Sequence, residues 1–276
     1  MIVGDGWLAC RDYFFLAEFF RGVVFALLVA VVAGLGCMEL LGMGKGKGMR
    51  PGGVVLVMLV GAVTTEQFWS YWFEGYQVQF LATVLMAGLL LGGLWQGKRY
   101  GARDTFVNLG MICLGVIYLG LGSWFLVQLR LLGSGGETVW GQIGPLVMAV
   151  ACIKSADIGA YFTGRFLGRH KWVPSISPGK TWEGFGGGVL LAVIVASLFG
   201  SISGIMCIRA AILFGVIMAV TGQLGDLLES MLKRDALSKD SGRLVPEFGG
   251  VLDMLDSPLV AGPFAYWFFV YLNLNH

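Results

Sequence analysis

Histidine is nearly missing from this chain: His170 and His276 are the only two in 276 residues. A histidine-ligated metal site is therefore all but excluded, and most zinc chemistry with it. Cysteine is equally unhelpful as a marker. Cys10, Cys37, Cys113, Cys152 and Cys207 stand singly, mostly in apolar runs and never as C-x-x-C. They read as small hydrophobes, without a disulfide framework or a zinc cluster. Charge is scarce as well, at 13% of residues against 57% hydrophobic. A soluble domain is nearer a quarter charged. The net charge of +2 is too small to recruit nucleic acid. The opening residues mix Asp5, Arg11, Asp12 and Glu18 with aromatics, which does not read as a cleavable signal peptide.

What is abundant is apolar length. Runs near the roughly 20 residues needed to cross a bilayer fall at 22–43, 52–73, 77–96, 105–128, 143–163, 184–205, 208–228 and 257–274. Residues 1–21 are either an amphipathic surface helix or a poor extra span. The expectation is an all-α, polytopic integral membrane protein of eight or nine transmembrane helices. The 44 glycines suit close helix packing in lipid. Cations gather in alternate loops: Lys45, Lys47 and Arg50; Lys98, Arg99 and Arg103; Arg165, Arg169, Lys171 and Lys180; Lys233, Arg234, Lys239 and Arg243. The opposite loops hold only Arg11, Arg21, Arg130 and Arg209. That bias puts the basic loops, and any polar cavity they border, on the cytoplasmic side of a bacterial-type inner membrane.

The halves differ in chemistry. Residues 1–135 are apolar and bland, apart from Glu39, Glu66 and Gln67, for which helix-end, packing or hydrogen-bonding roles suffice. Residues 136–276 carry the informative polar groups and form the expected catalytic region. Asp157 lies inside the span 143–163, where an acid is a functional candidate by default. Lys154, three residues earlier, offers it an internal ion pair instead. In the loop 164–184, Pro174 and Pro178 keep the chain extended. Ser177, Gly179, Lys180 and Thr181 then precede a helix expected near Trp182, which makes either an anion site or a loop touching lipid headgroups. Asp226, Glu229 and Ser230 share a helix face, and Asp253 and Asp256 stand three apart before Pro258. Clustered carboxylates with no His or Cys suit Mg²⁺ or Mn²⁺ over zinc. A surface network with Lys233, Arg234, Lys239 and Arg243 is the alternative.

Taken together, these residues resemble the phosphatidate cytidylyltransferase (CDP-diacylglycerol synthase) family. Its C-terminal signature is similar to Ser230, Lys233, Arg234, Lys239, Asp240, Gly242, Pro246, Gly249, Gly250, Asp253 and Asp256, in register. Upstream, Asp157–Gly164 and Ser177–Gly184 match as well, so the likeness covers about residues 143–260. Phe248 stands where the family has histidine, and Met254 where it has arginine. The resemblance implies transfer of CMP from CTP to phosphatidate, giving CDP-diacylglycerol and pyrophosphate. It implies Mg²⁺ on Asp226 and Asp253, with Asp256 and Asp240 behind them or holding a second cation. Lys180, Lys239, Lys233 and Arg234 would hold phosphate oxygens, with Ser177, Thr181 and Asp157 beside the substrates in a cavity open to the cytoplasm. A homodimer is compatible with it. Two other readings of the intramembrane acids are a CTP- or ATP-dependent polyprenol or phytol kinase and a membrane transporter.

Overall fold

The first apolar span begins at Gly22, as expected, but the helix that carries it starts earlier. In the computed structural model, which describes residues 4–69, 76–132, 139–236 and 250–274, one helix, α1, runs unbroken from Gly4 to Gly46. The opening residues are thus the start of the first span's own helix. The second expected span breaks early: α2 (Gly53–Thr64) is followed by a single turn, α3 (Glu66–Trp69). The break lies at Thr65, whose hydroxyl and N–H both bond back to the Gly61 carbonyl, at 2.7 and 3.1 Å. Thr83 and Thr221 make the same back-bond inside unbroken helices, so it accompanies the break without causing it.

The remaining expectations fare better. α4 spans Gln77–Tyr100. α5 (Thr105–Gly115), a π-helical turn (Val116–Leu121) and α6 (Gly122–Leu132) form one continuous crossing. α7 (Val139–Leu167), α8 (Trp182–Ser203), α9 (Ile208–Asp235) and α10 (Val251–Leu274) complete an all-α membrane protein. Among the described residues, six helices are long and apolar enough to cross a bilayer, against the eight or nine expected. Gly53–Thr64 is apolar but only 12 residues long. The 24-residue α10 is long enough, but Asp253, Asp256, Pro258 and Pro263 dilute its hydropathy.

One hairpin interrupts the helices. β1 (Lys171–Val173) pairs antiparallel with β2 (Ser177–Thr181), Lys171 opposite Thr181 and Val173 opposite Ser177. The Trp182 N–H closes its base on the His170 carbonyl at 3.0 Å. Glu183 then accepts the backbone N–H groups of Arg169 and His170 at 3.1 and 3.2 Å, and meets His170 Nδ1 at 2.6 Å. Thr181 caps α8, its hydroxyl accepting the Gly184 N–H at 3.1 Å. The helix therefore starts at Trp182, and the hairpin is fixed over its N-terminus.

Packing follows the small residues. α7 lies closest to α8, where a methyl on Gly159 would sit 2.7 Å from the Gly187 carbonyl oxygen. α9 packs on α8 and α10. At the second of these contacts a methyl on Gly225 would lie 2.6 Å from the Asp256 carbonyl oxygen. α10 also reaches the N-terminal half, sharing Leu252 and Leu259 with a core built on Leu40, Leu56 and Leu119. The acid-bearing start of α10 is consequently wedged between the two halves.

Candidate active site

α7, the hairpin, the start of α8 and the middle of α9 enclose a cavity of about 450 Å³. Asp157, Tyr161 and Arg165 line it from α7, Ser177, Lys180 and Thr181 from β2, and Gln223 and Asp226 from α9. Lys180 crosses the space. Its ammonium lies 3.0 Å from Asp226 Oδ2, donates to the Gln223 carbonyl at 3.2 Å, and stands 5.7 Å from the centre of the Trp172 ring. Asp157 keeps the Lys154 partner its spacing allows, at 3.5 Å. Arg165 bonds the Tyr161 hydroxyl at 2.7 Å, and no carboxylate among the described residues pairs with its guanidinium. Ser177, Lys180, Thr181, Asp157 and Asp226, spread over 70 positions of sequence, thus share one wall.

Behind Asp226 stands a group of acids. One carboxylate oxygen from each of Asp226, Glu229 and Asp256 lies within 4.8 Å of the other two. Glu229 is 1% exposed and Asp256 5%, so water screens neither. Glu229 Oε2 is paired with Lys233 at 2.9 Å, while its Oε1 has no hydrogen-bond partner. Asp256 Oδ1 accepts the Ser257 N–H at 2.6 Å, and Asp226 Oδ1 accepts the Ser230 hydroxyl at 3.4 Å. Gly225 permits this approach, because any side chain there would displace the Asp256 backbone.

Asp253 takes a different position. It accepts from Lys233 at 2.8 Å and from the Gly250 N–H at 2.9 Å, and its carboxyl group also meets that of Glu229 directly. Lys233 bridges Glu229 and Asp253, at 2.9 and 2.8 Å. Arg234 instead donates to the Ile176 carbonyl at 3.2 Å, tying the hairpin turn to the end of α9. Lys239 and Asp240 lie outside the described residues. In this connected network Asp157, Asp226, Glu229, Asp253 and Asp256 share three ammonium groups, those of Lys154, Lys180 and Lys233. Among the described residues five carboxylates thus meet three ammonium groups, beside a cavity that Lys180 and Arg165 also line.

A model of the cytidylyltransferase family matches residues 7–272. The chain belongs to that family. It is 35% identical to a phosphatidate cytidylyltransferase of Bacillus subtilis over 244 residues, 88% of this chain and 87% of the relative. A phosphatidate cytidylyltransferase of Synechocystis is 33% identical over 285 residues, covering 91% and 90% of the two chains. One from Haemophilus influenzae is 40% identical over a shorter stretch of 132 residues, 46% of each. The likeness expected over residues 143–260 thus extends through the N-terminal half.

Several residues of the site carry no strong mark in the sequence. Glu229 had one, its place three residues after Asp226 on the same face, yet nothing there shows which acids converge. Gln223, Tyr161 and Arg165 enter the wall only through helix packing. Tyr118 belongs to the π turn, a feature frequent near functional sites. Its buried hydroxyl has no hydrogen-bond partner, and its ring shares a core with Leu228, Leu252 and Leu255, the neighbours of the acids.

Proposed function

We propose that this chain is a phosphatidate cytidylyltransferase of a bacterial-type inner membrane, with its cavity open to the cytoplasm. The reading rests on one juxtaposition: Lys180 and Asp226 meet in a polar cavity directly beside the buried acids Glu229 and Asp256. A transporter needs intramembrane acids but not a cationic hairpin capped over a helix N-terminus. A phosphate-bearing substrate needs both. Membership of the cytidylyltransferase family and the names of its relatives support CTP as the nucleotide and phosphatidate as the lipid.

The donor set suits a hard divalent cation. It consists of carboxylate oxygens without histidine or thiolate, and contains a buried Glu229 oxygen with no hydrogen-bond partner among the described residues. Asp226, Glu229 and Asp256 would hold Mg²⁺, with Asp253 steadying Glu229 both directly and through Lys233. When bound, the ion neutralises phosphate charge as it builds up during transfer.

In the reaction a phosphatidate phosphate oxygen attacks the α-phosphorus of CTP. The bond from that phosphorus to the bridging oxygen of the β-phosphate breaks, and pyrophosphate leaves with the electron pair. The chain supplies positioning and charge. Lys180 and Arg165 bind phosphate oxygens, while Ser177 and Thr181 line the anion-binding end of α8. The acyl tails of the lipid stay in the bilayer as its headgroup enters the cavity. The residues 1–135 would serve chiefly as scaffold for α10.

The test uses purified chain, CTP labelled at the α- or γ-phosphate, phosphatidate and Mg²⁺. Lipid-bound α-label with equimolar pyrophosphate release is expected. Transfer of γ-label to a lipid alcohol would show a kinase instead. Absence of any lipid-linked label would overturn the reading.

A further inference from the structure

A second polar cavity, of about 380 Å³, opens in the N-terminal half, where the loops after α1 and α4 meet the start of α5. Arg50, Arg103, Gln96 and Asn108 line it, with Tyr100 and Asp104. It faces the same side of the membrane as the active site, because Lys47 in its rim pairs with Asp235, the last residue of α9, at 2.6 Å. It is separate from that site, which draws on α7, the hairpin, α8 and α9.

The floor of this cavity is built. Gln96 and Asn108 are 2% and 3% exposed. Asn108 Oδ1 accepts the Arg50 N–H at 2.8 Å, and Asn108 Nδ2 donates to Gln96 Oε1 at 3.0 Å. Gln96 Nε2 in turn donates to the Arg103 carbonyl at 2.7 Å. These bonds fix both arginine-bearing loops, and each amide nitrogen still carries a second hydrogen. Gly48 at φ +82° and Asp104 at φ 56° turn the two loops inward. The Arg50 guanidinium sits 5.5 Å from the centre of the Tyr100 ring, which orients its plane without consuming its donors. The Arg103 guanidinium, 89% exposed, pairs with Asp104, which also lines the cavity, at 3.6 Å. Lys45, Lys98 and Arg99 stand in the last turns of α1 and α4, outside the lining of the cavity.

Two guanidiniums over a rigid amide floor recognise a tetrahedral oxyanion better than a cation or an apolar group. We propose that this cavity is a second ligand site, taking the phosphate group of an anionic lipid headgroup or of a small soluble phosphate. Its place at the basic membrane surface makes both sources accessible, and its residues play no part in the transfer reaction.

The experiment measures binding, not turnover. The full chain in nanodiscs of phosphatidylcholine is titrated with labelled phosphatidylglycerol and, separately, with labelled orthophosphate. The wild type, the pair Arg50→Gln with Arg103→Gln, and the pair Lys98→Gln with Arg99→Gln are compared, each first checked for wild-type thermal unfolding. The first pair removes two charges from the cavity, and the second removes two from the same surface outside it. Loss of two charge-assisted contacts predicts at least about a tenfold fall in retention for the first pair, with little change for the second. Such a fall for phosphatidylglycerol identifies a lipid headgroup, and a fall for orthophosphate alone identifies a soluble ligand. Equal losses in both pairs would reveal only diffuse surface charge. That result, or unchanged binding in the first pair, would overturn the proposal.

Discussion

Glu39 and Leu252 lie 213 positions apart in the chain, yet the Leu252 N–H donates to Glu39 Oε2 at 2.9 Å. The neighbouring Val251 N–H donates to Oε1 at 3.0 Å. A carboxylate from α1 thus caps the N-terminus of α10, satisfying two donors the helix cannot pair itself and opposing its dipole. Asp253 and Asp256 follow within two turns. Their depth and rotation are therefore set from the other half of the molecule.

Replacing Glu39 with alanine leaves two buried N–H groups unpaired, at a cost of about 2–4 kcal/mol. Purified Glu39→Ala is expected to unfold at a lower temperature and to need more Mg²⁺ for half-maximal activity. Glu39→Gln keeps one acceptor oxygen and should fall between. An unshifted Mg²⁺ requirement in both variants would separate the cap from the site.

The same contact shows where sequence reading stops. Thr181 and Lys180 are legible because a hydroxyl and an extended, proline-held loop ahead of an apolar run mark a helix start, and α8 begins at Trp182. The i, i+3 spacing of Asp226 and Glu229 is legible for the same kind of reason. Local periodicity says nothing about a partner 213 positions away, so Glu39 reads as a helix-end residue and no more. It also cannot decide between Asp253 and Asp256, which stand three apart on one helix. The rotation of α10 against Gly225 brings Asp256 to Asp226 and leaves Asp253 to Lys233. The break of the second span at Thr65 and the pairing of the hairpin at 171–181 are likewise backbone features that no spacing in the sequence marks.

If Asp226, Glu229 and Asp256 hold the cation, Asp226→Asn and Asp256→Asn should each lower activity by on the order of 100-fold or more. Part of that loss should return at high Mg²⁺. Asp253→Asn frees Lys233 to pair with Glu229 alone, so activity should fall with little recovery on adding metal. Activity measured across a Mg²⁺ series distinguishes the two patterns. Full metal rescue of Asp253→Asn, with none for Asp256→Asn, would reverse the assignment and make Asp253 the ligand.

Lys180 has two duties, pairing Asp226 at 3.0 Å and facing the cavity. Lys180→Met keeps the apolar stem and removes the charge. The loss of charge-assisted contacts to a polyphosphate predicts about a 10- to 100-fold fall in kcat/KM for CTP, with the KM for phosphatidate less affected. Steady-state kinetics with each substrate varied in turn gives the answer. An equal rise in both KM values would mean that Lys180 holds the site together and does not grip the nucleotide.

Gly225 offers the sharpest test of the geometry, because it carries no chemistry of its own. A methyl there would lie 2.6 Å from the Asp256 carbonyl oxygen and 3.0 Å from the Ser257 Cα, both backbone atoms that cannot swing aside. Gly225→Ala must therefore push α10 away from α9. Overpacking of this kind costs about 1–3 kcal/mol, which a membrane protein of this size should survive as a folded chain. The displacement would nevertheless open the spacing of Asp226 and Asp256, now within 4.8 Å. Gly225→Ala should accordingly unfold only slightly more readily than the wild type, yet lose most of its activity and require more Mg²⁺. Gly186→Ala is the matched control, because no atom beyond the local backbone of α8 lies within 4 Å of a methyl at that glycine. If the two alanine variants behave alike, the approach of α9 to α10 is not what sets the cation site.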